Sequence, residues 1–244
     1  MKTQFYNVFQ ESATAMASIL DMHFKTGSIV DVNYGLGVFY KHCSHRSITG
    51  VDVRPPAKIR CCNSNLPFAD DSFDIGVCDP PYKRGNGNTR YTTRYGVAPT
   101  TEQKCTRLYL AALPELLRVC RSGIIVKCQD ASDGHVFYPR HIQLSEWMKS
   151  ITGLSVHDFA VVVRHGVPNA NTQGERHYFQ QAVSFFLVWK WASKHPWKAV
   201  RHYKKIPRRR AETNEGQFTA ANTQRDAIAT GQEAAPVGSR KVLP

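Results

Sequence analysis

At Asp79-Pro80-Pro81-Tyr82 the chain sets a carboxylate, two rigid residues and an aromatic ring in immediate succession. A carboxylate and the backbone carbonyl of the next residue are both acceptors, so together they can take both N–H bonds of one amino group. A ring held a short distance beyond can stack on a heterocycle, which is worth roughly 1–3 kcal/mol. The chemistry therefore suits a flat ring bearing an exocyclic amine. Four residues alone read equally well as a strand end, a Pro-Pro turn and a packed tyrosine, so the neighbouring sequence decides.

The run before it, Phe73-Asp74-Ile75-Gly76-Val77-Cys78, is apolar and bounded by turn signals, as expected of a short buried strand. Two prolines remove two N–H donors and end the strand. The residue before each proline is pushed out of the helical region, which keeps the corner extended. Asp79 is thus presented at a strand's carboxyl end, the edge where open α/β sheets bind ligands. Upstream, the strand Ser28-Ile29-Val30-Asp31-Val32 runs into Asn33-Tyr34-Gly35-Leu36-Gly37, with a helix-like segment following to about Cys43. A glycine turn between strand and helix lets backbone N–H groups approach a ligand closely. A second strand, Ile48 to Val53, carries Asp52 at its end. Asp52 is about twenty residues beyond Asp31, and an acid at such a strand end accepts ribose hydroxyls in dinucleotide folds, although a solvated strand-end aspartate is a common alternative.

Asp79-Pro80-Pro81-Tyr82 resembles the catalytic motif of the S-adenosylmethionine-dependent amino-methyltransferases of nucleic acids, Asp/Asn/Ser-Pro-Pro-Tyr/Phe/Trp. The resemblance spans roughly residues 8–191, with the motifs in the family's order. In the family's glycine pattern, Asp-Pro-Phe-x-Gly-x-Gly, Asp31, Gly35 and Gly37 match, while Val32 and Asn33 depart. Asp52 stands where the family places its ribose-binding acid. Asn65-Leu66-Pro67-Phe68 through Asp74 resembles the segment that links the adenine pocket to the catalytic strand. Cys62 and Asn63 occupy the place of an aspartate that contacts the cofactor's adenine, a role Asn63 can take through its side-chain oxygen. Arg94-Tyr95-Gly96-Val97 and Lys127-Cys128-Gln129-Asp130 are similar to segments of small phage and bacterial DNA methyltransferases. Asp130 suits a helix-capping role equally well.

The resemblance implies an α/β fold of the Rossmann-like class I methyltransferase type. Its sheet would be seven-stranded and mostly parallel, with an antiparallel last strand and helices on both faces. It implies catalysis by Asp79, Pro80, Pro81 and Tyr82, and a cofactor, S-adenosylmethionine, held by Asp31, Gly35, Gly37, Asp52, Asn63 and Asp79, without a metal. Asp-Pro-Pro-Tyr goes mostly with adenine in this family, so the expected target is the N6 amino group of adenine in DNA. RNA bases, the cytosine N4 amino group and a non-catalytic nucleic-acid-binding module remain alternatives.

Composition agrees with a nucleic-acid partner. The 244 residues carry a formal net charge of +13, which favours a polyanion, and 42% apolar residues, enough for one sizeable core. Residues 83–100 read as a long loop in which Lys83, Arg84, Arg90 and Arg94 can neutralise phosphates and Tyr91 and Tyr95 can stack. Arg176 sits in a second expected loop, and Lys204 and Lys205 lie in a basic run. The expected domains are a methyltransferase domain over 1–193, a basic segment over 194–210 and a disordered tail over 211–244. Helices are expected over 8–24, 101–120, capped by Thr101 and kinked or split at Pro114, and 141–150. Further strands are expected over 58–63, 124–128, 156–163 and 179–191, the last two as an antiparallel hairpin. None of the seven cysteines has metal-site spacing, and they read as reduced thiols of a cytoplasmic protein. Met1 to Gln4 lacks an apolar signal core, and no run reaches membrane-spanning length.

Overall fold

The structure, a computed structural model, describes residues 7–54, 57–81, 101–133, 136–163 and 183–191. In chain order the elements are β1 (Val8–Phe9), α1 (Ser12–His23), β2 (Ile29–Asp31), a 3-10 turn (Val38–Tyr40), β3 (Ile48–Asp52), β4 (Ile59–Arg60) and β5 (Phe73–Cys78). After them come α2 (Glu102–Val119), β6 (Cys120–Cys128), β7 (Ala131–Asp133), β8 (Val136–Tyr138), α3 (Arg140–Thr152), β9 (Asp158–Val163) and β10 (Val183–Lys190).

Eight strands form one sheet in the order β1-β9-β10-β6-β5-β2-β3-β4, and β7 and β8 form a separate hairpin. β10 runs antiparallel to both of its neighbours, β6 and β9, and every other pairing in the large sheet is parallel. This is a Rossmann-like α/β architecture, mostly parallel with an antiparallel strand, as the resemblance implies, with one strand more than expected. The addition is β1, two residues at the sheet edge beside β9, too short to leave an apolar pattern in the sequence.

The strands are buried on both faces, and their side chains alternate between two cores. Val30, Cys78, Ile124, Val126, Leu187 and Trp189 point to the side covered by α2 and α3. Ile29, Ile75, Val77, Ile125, Phe186 and Val188 point to the side covered by α1 and the 3-10 turn. α1 contributes Met16, Ile19 and Leu20, and α2 contributes Leu113, Leu116 and Leu117. A fully buried side chain of this size is worth about 1.5–3 kcal/mol, so the two cores outweigh any single polar contact.

α2 starts as expected, with the Thr101 hydroxyl accepting from the Lys104 N–H at 3.2 Å and Glu102 in the first turn. It is continuous through Pro114, which neither splits it nor ends it. Proline removes one helical hydrogen bond, and burial of Leu113, Leu116 and Leu117 around it holds the helix together. β6 begins directly at Cys120, four residues earlier than the apolar run suggests, and the helix expected to follow Gly37 is only the one-turn 3-10 segment. The hairpin of β7 and β8 occupies a stretch with no expected element. Among the described residues no helix is long and apolar enough to cross a membrane.

Candidate active site

From β2 the chain steps outward to β3 and β4, then returns to the opposite side of β2 as β5 and continues to β6. Strand order therefore reverses between β2 and β5, and the crevice outside their carboxyl ends is where such sheets bind ligands. Asp31 pairs in register with Val77, so the glycine turn after β2 and the Asp79 corner after β5 leave the sheet side by side. Asn33 connects them, its side-chain oxygen accepting from the Cys78 thiol at 3.5 Å.

Asp31 turns inward. It is 1% exposed, and its two oxygens accept from the Asn33 N–H at 2.9 Å and the Tyr40 hydroxyl at 2.8 Å. Burial pushes its carboxyl up to about 7, with repulsion from Asp79 and Asp52 acting in the same direction and the two hydrogen bonds opposing it. Its place in the site is beneath the glycine turn, which it braces. Gly35 and Gly37 have φ of 54° and 68°, the left-handed region where a side chain would be strained. Tyr34, between them and β3, stacks on Tyr40 with ring centroids 6.1 Å apart. Gly50 makes room for that ring: a Cβ there would lie 2.5 Å from Tyr34 Cγ.

Asp52 stands across the mouth from this turn. Its carboxylate accepts from the Gly35 N–H at 3.0 Å and the Arg54 N–H at 3.2 Å. Each oxygen has a further lone pair, so capacity for hydroxyl donors remains. Val53 beside it is 63% exposed, an apolar face at the rim. Asn63 is partly exposed in the turn after β4, where the Asn65 N–H bonds the Cys62 carbonyl at 3.1 Å. The Leu-Pro-Phe segment that follows is fastened to α2. Glu115 accepts from the Leu66 N–H at 2.9 Å, and Arg118 donates to the Phe68 carbonyl at 2.6 Å and the Leu66 carbonyl at 3.2 Å.

At the corner itself Pro80 is buried, while Asp79 and Pro81 are partly exposed. The Asp79 carboxylate faces the first residue of the Lys127–Asp130 segment that the resemblance singles out. Lys127, in the middle of the sheet on β6, is 3% exposed, and its Nζ lies 3.5 Å from Asp79 Oδ2. A second buried pair lies nearby: Arg140 Nη2 donates to Glu102 at 2.6 Å and the same guanidinium bonds the Gln129 carbonyl, joining the starts of α2 and α3 to the end of β6. Asp130 acts at the start of α3, accepting from the His141 N–H at 3.2 Å and its ring Nδ1 at 2.8 Å, which is the capping role.

Asp31, Gly35, Gly37, Asp52, Asn63, Asp79, Pro80 and Pro81 are thus all on the carboxyl edge of the parallel strands. Tyr82, Lys83, Arg84, Arg90, Arg94, Arg176, Lys204 and Lys205 lie outside the described residues, as do the basic segment and the tail. Among the described residues no group of three His, Cys, Asp or Glu side chains is placed to hold a metal ion. A cavity of about 320 Å³ lies elsewhere, between α1 and the β1–β9 edge, lined by Met22, His23, Asp158 and Phe159 and by none of the motif residues.

No protein-family model and no curated protein matches this chain. Solved structures do. A candidate methyltransferase of Bacillus halodurans C-125 is 10% identical over 72% of this chain and 98% of its own, with a TM-score of 0.46. The 1,6-didemethyltoxoflavin-N1-methyltransferase of Burkholderia thailandensis, solved with S-adenosylhomocysteine, is 13% identical over 74% of this chain and 78% of its own, with a TM-score of 0.41. A candidate DNA modification methylase of Thermus thermophilus is 11% identical over 53% of this chain and 49% of its own, with a TM-score of 0.34. At such identities and scores the likeness carries no argument about activity or substrate.

Proposed function

We propose that this chain is an S-adenosylmethionine-dependent methyltransferase acting on the exocyclic N6 amino group of adenine in DNA. The observation that carries the reading is the adjacency of the Asp79 corner and the glycine turn at the switch point of the sheet. The residues present fit the cofactor. Asp52 has lone pairs to spare for two ribose hydroxyls, Val53 offers an apolar face to a purine, and Gly35 leaves its side of the mouth open, with no side-chain atom within 4 Å of where its Cβ would sit. Asn63 is the candidate for the adenine amino group. Bound there, S-adenosylmethionine supplies a methyl group already activated by its sulfonium centre.

What remains for the protein is to hold the acceptor in line. Asp79 and the Pro80 carbonyl accept the two amino hydrogens and direct the nitrogen lone pair toward the donor. Tyr82 stacks on the base. Asp79 need not be a strong base, since the proton can leave after the new N–C bond has formed. In a duplex the amino group is hidden in its base pair, so the base must be extruded at a cost of a few kcal/mol. Lys83, Arg84, Arg90, Arg94, Arg176, Lys204 and Lys205 are the residues proposed to neutralise phosphates, in keeping with the net charge of +13. The choice of adenine over cytosine and of DNA over RNA rests on the Asp-Pro-Pro-Tyr resemblance.

The test is methyl transfer from labelled S-adenosylmethionine to DNA and RNA in parallel. Label in DNA as N6-methyladenine, lost in Asp79→Ala while calorimetry still detects the cofactor, is the expected result. Label in RNA alone, or as N4-methylcytosine, would replace the substrate assignment. DNA binding that weakens with salt, without any cofactor binding, would leave a nucleic-acid-binding module in place of an enzyme.

A further inference from the structure

β6 runs through the centre of the sheet, and its apolar stretch Ile124-Ile125-Val126 is followed by a lysine where the pattern calls for another apolar residue. Lys127 lies opposite Phe186 of β10 on one side, and on the other it follows the Cys78–Val126 pair, so its neighbour across from β5 is Asp79. Its Nζ lies 5.3 Å from the centroid of the Phe39 ring, in the 3-10 turn. An ammonium 3% exposed in a sheet interior loses most of its hydration, and a nearby carboxylate is what makes such a position tolerable. At 3.5 Å from Asp79 Oδ2, Lys127 engages one oxygen of that carboxylate.

We propose that Lys127 is a positioning residue for Asp79: by engaging Oδ2 it fixes the rotation of the carboxylate relative to the Pro80 carbonyl, so that carboxylate and carbonyl form the pair of acceptors for the target amine. This rests on the reading of Asp79 as the acceptor of the amino hydrogens. A carboxylate free to rotate offers its oxygens in many orientations. One held by a buried cation offers a single edge, and the proline-fixed backbone beside it supplies the second acceptor at a constant offset. Lys127 touches neither cofactor nor base in this scheme, so its effect falls on turnover and not on cofactor affinity.

The experiment combines a kinetic split with a stability cycle on the full chain. Lys127→Met keeps the length of the side chain and removes its charge. It is expected to lower kcat on DNA by roughly 10- to 100-fold, the size expected for a misplaced reactive group, with the Kd for S-adenosylmethionine unchanged. Asp79→Asn withdraws the counter-charge and lowers Tm, and adding Lys127→Met to it recovers most of that loss. The recovery is the signature of the pair and does not depend on catalysis. Lys127→Met turning over at the wild-type rate overturns the proposal, and so do Tm changes that simply add in the double variant. If the wild-type chain transfers no methyl to any base, the functional reading fails by itself, and the Tm cycle still decides whether Lys127 holds Asp79.

Discussion

β5 carries one aspartate near its start and another just past its end, and the two are treated in opposite ways. Asp74, at the amino end, is tied within the chain. It accepts from the Ser28 N–H at 2.8 Å and the Ser28 hydroxyl at 3.0 Å, and Arg121 grips its other oxygen through Nε at 3.0 Å and Nη2 at 2.9 Å. Burial works to raise its carboxyl, and these bonds outweigh it, so the group stays below the usual carboxylate range. The residues around it hold the starts of β2, β5 and β6 in register. At the carboxyl end the polar groups crowd instead. Asp31 is buried and pushed up to about 7, Asp79 and Asp52 repel it, and a lysine is drawn into the sheet interior. One end of the strands spends its charges on stability. The other tolerates electrostatic stress, which is the pattern found where a site is built for a ligand.

The largest effect that separates the two ends is on turnover. Asp79→Ala is expected to lower methyl transfer by roughly 10³-fold, within the range attributed to a positioned proton-handling group, when assayed below its Tm with cofactor binding checked in parallel. Asp74→Ala, remote from the proposed reacting atoms, is expected to leave kcat within about twofold. If the two variants lose activity equally, the division between a structural end and a functional end is wrong.

A second contrast lies in pH. The folded-state value for Asp31, about 7, exceeds the ordinary 3.8, so the folded protein holds this proton more tightly than the unfolded chain. The stability that protonated Asp31 contributes is fully present below the ordinary value of 3.8 and is lost as pH rises through about 7. A tenfold difference in proton affinity corresponds to about 1.4 kcal/mol, so the loss over that window amounts to a few kcal/mol. Asp31→Asn, which can still accept from Tyr40 or Asn33, should flatten this part of a denaturation-against-pH profile. A profile of the same slope in wild type and variant would show that Asp31 is ionised at little cost. At the other end of the strands the sign reverses: Asp74, held below its ordinary value, contributes stability at neutral pH that is lost on acidification. Asp74→Ala should reduce unfolding free energy by about 1–3 kcal/mol near pH 7, the usual result of stranding hydrogen-bonded partners, and by less in acid at about pH 3.

Much of this arrangement was readable from the chain. The apolar runs ending in Asp31, Asp52 and Cys78 are strands ending at those residues or within a position of them, because strands buried on both faces leave continuous apolar runs. The antiparallel pairing of β9 with β10 is present as expected, and so is the Thr101 cap. What escaped was of two kinds. Elements of two or three residues, such as β1 and the hairpin strands β7 and β8, are too short for any periodicity to register. The resemblance singles out Lys127–Asp130, but the burial of Lys127 and of Arg140 escaped because a charged residue reads as exposed until its partner is known. Their partners, Asp79 and Glu102, are 48 and 38 positions away in the chain. One cue for Lys127 existed: a lysine inside an apolar run at the same depth as the aspartate of the neighbouring strand.

The smallest expected effect concerns the far side of the mouth, where Asn63 is the residue proposed to contact the cofactor's adenine. Asn63 is partly exposed in a turn closed by the Asn65–Cys62 backbone bond, and the segment beyond it is fastened to α2 by Glu115 and Arg118 without help from its side chain. Asn63→Ala should therefore leave Tm within about a degree, as expected of a surface change away from packed features. An amide oxygen accepting from an adenine amino group is a neutral hydrogen bond, worth about 0.5–1.5 kcal/mol, so the Kd for S-adenosylmethionine should rise roughly three- to tenfold. Asn63→Asp should hold the affinity or raise it, since a charged acceptor strengthens such a bond. An unchanged Kd in Asn63→Ala would take Asn63 out of the cofactor site and leave Asp52, Val53 and the glycine turn as the proposed supports on that side. The ligand-facing edge would then be narrower than drawn, confined to the strands that meet at the switch point.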